Sequence, residues 1–192
     1  MNKKVIIGVV IVIIVAILAA IFLLNPSEVT LVAGDTAVTL PSDYELDPDT
    51  GIATKGDIGV LYMPVASSDV KAQKALFDTL KSNGKDAGYK KVKTDTINGF
   101  KVYQYSANPD KLKKVSSDKV VEGNYETWKE YEPYTPFKDM TKMDVKQFRY
   151  TAYVNETSKT ISELYIFTNN TDVDLYSSDI ESIINSIAVV EK

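Results

Sequence analysis

Twenty consecutive apolar residues, Val5 to Leu24, follow Lys3-Lys4 and stop at Asn25-Pro26. At about 1.5 Å of rise per residue, such a run reaches about 30 Å as a helix, the thickness of a hydrocarbon core. Between its ends no side chain is charged or strongly polar. Lipid offers backbone N–H and C=O groups no partners but each other, so the run is expected to be a transmembrane helix. The positive-inside rule keeps residues 1–4 as a cytoplasmic tail and places the rest outside.

A cleaved signal peptide is the alternative. Its apolar core spans about 7–15 residues and ends at a small-x-small site. Here the run is longer, and bulky Ile21, Phe22, Leu23 and Leu24 follow Ala19-Ala20. The sequence therefore predicts an uncleaved signal anchor, giving a single-pass protein of the cell membrane. No cysteine follows for lipid attachment, and no acidic residue of the pilin kind interrupts the run. Ala16 and Ala20 make a small-xxx-small pair, a spacing that arises readily in an Ala-containing apolar run.

Residues 25–35 read as a linker with a first strand, and residues 36–192 as one extracytoplasmic domain large enough to bury a core. With Lys3 and Lys4 set aside, 20 basic side chains face 26 acidic ones, a formal charge of −6. That balance repels nucleic acid and anionic headgroups. The chain has no cysteine and no histidine. Thiol catalysis is thereby excluded, as is the usual general base near neutral pH. Lysine outnumbers arginine 21 to one, which reads as genome composition.

Along the domain, Glu28 to Val32 and Thr36 to Leu40 are β-rich runs around the turn Ala33-Gly34-Asp35. Tyr44 to Leu46 resumes the second run, Asp47 to Gly51 is a turn, and Ile58 to Val65 reads as a buried strand. A helix is expected from Asp69 to about Asn83, capped by Ser68 and stopped at Gly84. Its apolar face is Ala72, Ala75, Leu76, Thr79 and Leu80, with Phe77 beside it. Tyr89 to Ser106 is a hairpin turned by Asn98-Gly99, a pair suited to two successive positive φ angles. After an irregular insert at about 108–140, Asp144 to Val154 pairs with Thr160 to Phe167. A final helix fits Asp179 to about Ala188, with Ser178 and Glu181 as a capping box. Ile180, Ile183, Ile184 and Ile187 form one stripe on it, which needs a sheet to pack against. The predicted fold class is α+β: an antiparallel sheet flanked by two main helices, preceded by the transmembrane helix.

Four segments, Val38-Thr39-Leu40-Pro41-Ser42-Asp43-Tyr44, the helix end Leu80-Lys81, Ile97-Asn98-Gly99-Phe100-Lys101-Val102-Tyr103 and Ile183-Ile184-Asn185-Ser186-Ile187, occur in an order that resembles the PsbP/DcrB-like family. The resemblance spans most of residues 36–188 and rests on scaffold features, with no catalytic motif. It implies an antiparallel sheet flanked by helices and an extracytoplasmic accessory or binding role. The insert has no counterpart in that family.

Motifs for chemistry are few. Ser68–Lys71, Ser82–Lys85 and Ser116–Lys119 match Ser-x-x-Lys, but Ser-Asp-Asn and Lys-Thr-Gly companions are missing. Asp47-Pro48-Asp49-Thr50-Gly51 resembles a calcium loop, yet the positions for a third ligand, Gly and Glu hold Gly51, Ile52 and Ile58. A paired-carboxylate glycosidase needs only Asp and Glu, and nothing indicates which two would pair. The best binding candidate is the insert, where Tyr125, Trp128, Tyr131, Tyr134 and Phe137 fall among four glutamates. Exposed, the rings suit sugar stacking or a protein contact; folded inward, they complete the core. Asn155-Glu156-Thr157 and Asn169-Asn170-Thr171 are glycosylation acceptor patterns, usable only outside the cell.

The sequence thus predicts a membrane-anchored, non-enzymatic binding or accessory module of the cell envelope, with no cofactor. Its expected partners are the membrane and an envelope protein or glycan, not nucleic acid. A carboxylate enzyme acting on glycans and an assembly or chaperone factor for membrane complexes are the alternatives.

Overall fold

Asn98 and Gly99 take φ angles of 50° and 84°, and they turn β6 (Lys90–Ile97) tightly into β7 (Phe100–Ala107), with Ile97 opposite Phe100. The computed structural model describes residues 28–65, 70–111 and 144–190. Within them the strands precede and follow that hairpin: β1 (Glu28–Ala33), β2 (Thr36–Pro41), β3 (Glu45–Leu46), β4 (Ile52–Lys55), β5 (Ile58–Pro64), β8 (Gln147–Asn155), β9 (Thr160–Thr168) and β10 (Ala188–Val189). Two helices join them, α1 (Val70–Asn83) and α2 (Ser178–Asn185).

Seven strands form one antiparallel sheet in the order β3-β4-β5-β9-β8-β7-β6, and β1-β2-β10 form a second. This corrects the α+β expectation: the fold is mostly β, with two short helices. The physical reason is the first hairpin. Leu31, Ala33, Val38 and Leu40 point to one side of β1 and β2 and are buried, so this hairpin covers the large sheet as a second β layer. A layer assigned to helix is therefore largely sheet. The short strands β4 and β10 add to the expected elements, and the last helix ends at Asn185. Residues 5–24, the expected transmembrane helix, lie outside the described residues; among those described, no helix is long and apolar enough to cross a membrane.

Both faces of the large sheet are packed. On one, Val60, Tyr62, Val102, Tyr153, Leu164 and Ile166 meet β1, β2 and the isoleucine stripe of α2, where Ile180, Ile183 and Ile184 are buried. On the other, Tyr103, Tyr105, Phe148, Tyr150, Tyr165 and Phe167 meet Phe77 and Leu80 of α1. Being covered twice, β8 and β9 are buried from Phe148 to Val154 and from Ile161 to Thr168, in place of polar–apolar alternation.

The described side chains of α1 match the expected stripe only in part. Among them Gln73, Phe77 and Leu80 are buried, while Ala75 and Thr79 are half-buried. Gln73 turns inward because a buried tyrosine hydroxyl needs its amide. Ser68, the expected cap, lies outside the described residues. The capping box on α2 does not form. Ser177 occupies the N-cap position with no side-chain bond, and the Glu181 carboxylate is engaged elsewhere.

Gly59 on β5 has a packing reason to be glycine. A Cβ there would lie 2.4 Å from the buried Phe167 ring, on the residue paired with it across the sheet. Gly59→Ala is expected to cost about 1–3 kcal/mol through overpacking. A urea titration would show it, and an unchanged midpoint would mean the ring yields freely.

Candidate functional site

The five insert aromatics, Tyr125, Trp128, Tyr131, Tyr134 and Phe137, lie outside the described residues, as do Ser68 and Ser116. Ser82 is exposed on α1, with its hydroxyl bonded to the Asp78 carbonyl at 2.9 Å, a local helix contact. Asp47 accepts the Asp49 N–H at 2.9 Å and the Thr50 hydroxyl at 2.8 Å, so the calcium-like loop is an Asx turn. Those bonds hold the Asp47 carboxyl below its usual range. Among the described residues, no group of three or more acidic side chains is placed to hold a metal ion. Asn155 is the half-buried last residue of β8, and Asn169 is exposed just after β9. Asn155 accepts the N–H groups of Thr157 and Ser158 at 3.0 and 3.2 Å, which shapes its own turn.

Two buried ionisable groups, neither singled out by the sequence, occupy opposite faces of the β8–β9 pair. Glu163 of β9 points to the α1 face. Its Oε1 accepts the Tyr150 hydroxyl at 2.5 Å, and its Oε2 accepts the Tyr165 hydroxyl at 2.9 Å. Gln73 of α1 donates its amide to the Tyr150 oxygen at 2.9 Å. The strand register makes this possible. Tyr150 is opposite Tyr165, and Glu163, two residues along on the same face, stands diagonally across from Tyr150. Burial pushes the Glu163 carboxyl above its ordinary 4.5, and the two phenol bonds draw it partly back. Burial also drives the Tyr150 and Tyr165 hydroxyls well above 10, so both remain protonated donors. Tyr105 stacks on Tyr150 with centroids 4.7 Å apart, and Phe77 lies beyond.

Arg149 of β8 points to the opposite face and is 1% exposed. Its guanidinium forks onto Glu181 of α2, with N–O distances of 2.7 and 3.2 Å. Its remaining donors reach the Leu175 carbonyl at 3.1 Å and Gln104 Oε1 at 3.0 Å, leaving Nε unpartnered. The Tyr176 ring packs 4.4 Å from the guanidinium carbon and carries the Lys91 ammonium 3.3 Å from its centroid. This one side chain thus ties β7, the loop before α2 and the first turn of α2 to β8. Lysine has no planar fork with which to do the same.

A third cluster is uncharged. The hydroxyls of Thr36, Tyr62 and Ser162 lie 2.6, 2.7 and 3.1 Å apart, joining β2 of the small sheet to β5 and β9 of the large one. None of the three is a base near neutral pH, so Ser162 has no activating partner within the cluster.

In all three clusters the polar atoms are turned on one another. Both Glu163 oxygens and both Glu181 oxygens have donors, and Glu163 is enclosed by buried rings. Sequence signals for these groups existed. The chain's single arginine sits amid a strand of apolar and aromatic residues, and a single carboxylate interrupts Ile161 to Phe167. No protein-family model matches the chain, and no curated protein matches it.

Proposed function

We propose that this chain is a membrane-anchored extracytoplasmic binding or accessory module of the cell envelope. The observation that carries the reading is the twenty-residue apolar run behind two lysines, which ends three residues before β1 begins. The clusters around Glu163 and Arg149 support it from the other side. Their polar groups are spent on joining layers, which suits a scaffold for surface contacts. The resemblance to PsbP/DcrB-like domains agrees with a role of this kind. The partner is a protein or glycan of the envelope, and in this topology Asn155 at the end of β8 and Asn169 after β9 lie in the compartment where a glycan can be attached.

Protease added to intact spheroplasts tests the topology. The domain is expected to be digested, leaving a small protected fragment that contains the apolar run. Full protection of the chain would overturn the orientation, and release of intact protein by alkaline carbonate would overturn the anchor. Crosslinking in native membranes, read by mass spectrometry, then identifies what the domain contacts.

A further inference from the structure

Four strands end a sheet among the described residues, and three of them are protected against further pairing. The edges β3 and β10 are two residues long. The β6 edge carries Lys90, Lys91 and Lys93, and its register shifts between Lys90 and Lys93, with Lys91 at a φ of 51°. Shortness, lysines and bulges are the usual guards of an exposed edge. The remaining edge, β1, has none of them. It runs six residues, Glu28–Ala33, in unbroken register with β2, and contains no lysine, arginine or proline. Val32 on it is 58% exposed.

We propose that β1 is a pairing edge for a second copy of this chain, joining two three-stranded sheets into one of six strands by antiparallel β1–β1′ addition. The proposal rests on the anchored reading. Only Asn25, Pro26 and Ser27 separate β1 from the apolar run. Three residues reach about 10 Å at most, so anchored copies present β1 at the same short height above one membrane plane. Confinement to that plane raises the effective concentration of one edge for another. Two copies in a membrane share a two-fold axis along the membrane normal, and antiparallel pairing of like strands has that symmetry.

The residues of β1 are complementary to themselves. Glu28, Thr30 and Val32 face outward, whereas Leu31 and Ala33 face the core. A two-fold axis at Thr30 places Thr30 opposite Thr30′, Val29 opposite Leu31′ and Glu28 opposite Val32′. Each face meets its like, and no carboxylate meets another.

The native absence of cysteine makes the test clean. Thr30→Cys in the full chain, oxidised mildly in native membranes, is expected to give a disulfide dimer. Thr39→Cys, on β2, is expected not to, because its mate would lie about 14 Å away, three strand spacings. Thr94→Cys, on the guarded β6 edge, sets the background of random collision. In the Thr30→Cys chain, adding V32E places Glu28 against a like charge and should cut the dimer about tenfold, whereas V32K should preserve it. A Thr30→Cys dimer no more abundant than the Thr94→Cys background overturns the pairing, as does equal loss with V32E and V32K. Alkaline extraction of the same membranes reports the anchor separately. Anchored protein without a dimer sinks only the pairing. Extracted protein that still forms the dimer when concentrated sinks only the anchor.

Discussion

Replacing Glu181 with leucine is expected to destabilise the fold by about 3 kcal/mol, because it leaves the Arg149 guanidinium buried and uncompensated. The magnitude sits at the lower end for a broken buried pair. The Glu181 side chain is 36% exposed, so solvent can partly replace it, whereas that of Arg149 is 1% exposed. In a domain of this size such a loss lowers the melting temperature by about 6–12 °C. Arg149→Met should also destabilise, by stranding the Leu175 carbonyl and Gln104 Oε1. The double variant, E181L with R149M, should recover much of the loss, since no charge then remains buried. Thermal melts of the four proteins form a double-mutant cycle. Simple additivity of the two losses would show that the pair does not hold α2 to the sheet.

The second large effect lies on the opposite face. Glu163→Ala removes the acceptor of the Tyr150 and Tyr165 hydroxyls, both donors in a buried aromatic cluster. Stranding both is expected to cost roughly 2–5 kcal/mol. Glu163→Gln keeps one acceptor oxygen and separates bonding from charge, through pH. Because burial raises the folded-state pKa of Glu163, the folded chain holds this proton more tightly than the unfolded chain. The resulting stabilisation is complete below about 4.5, the ordinary value, and is lost as pH rises through the raised one. Wild-type stability should therefore lose this contribution with rising pH above 4.5, and Glu163→Gln should lack that component. Urea unfolding across this range tests the difference. Asp47 acts in the opposite sense and below 3.8, so it does not confound the window. A pH component identical in both proteins would show that Glu163 is not the group responsible.

The two networks also show where a sequence reading stops. The ratio of lysine to arginine reads as genome composition and gives Arg149 no role, because its partners Gln104, Leu175 and Glu181 are 26 to 45 residues away. Only strand order brings them together. Glu163 sat within a predicted strand without a role, because its partners depend on which face the register turns it to. A shift of one residue would carry the carboxylate away from Tyr150, its partner on the neighbouring strand. The Ser178–Glu181 capping box failed for the same reason. A local contact worth about 1 kcal/mol lost Glu181 to a forked bond with a buried cation.

Local chemistry by itself determined several parts of this protein. Asn98-Gly99 specified its hairpin through backbone dihedral preference, and Ile180, Ile183 and Ile184 specified which side of the last helix is buried. The apolar run at Val5 to Leu24 supports a membrane tether by length and composition alone. The tertiary structure decided that β1 and β2 form a second sheet, and that α1 buries Gln73 and Phe77. It also left β1 as the one long, unguarded edge among the described strands. These outcomes turn on pairing between distant segments, whose energy exists only once the chain has closed on itself.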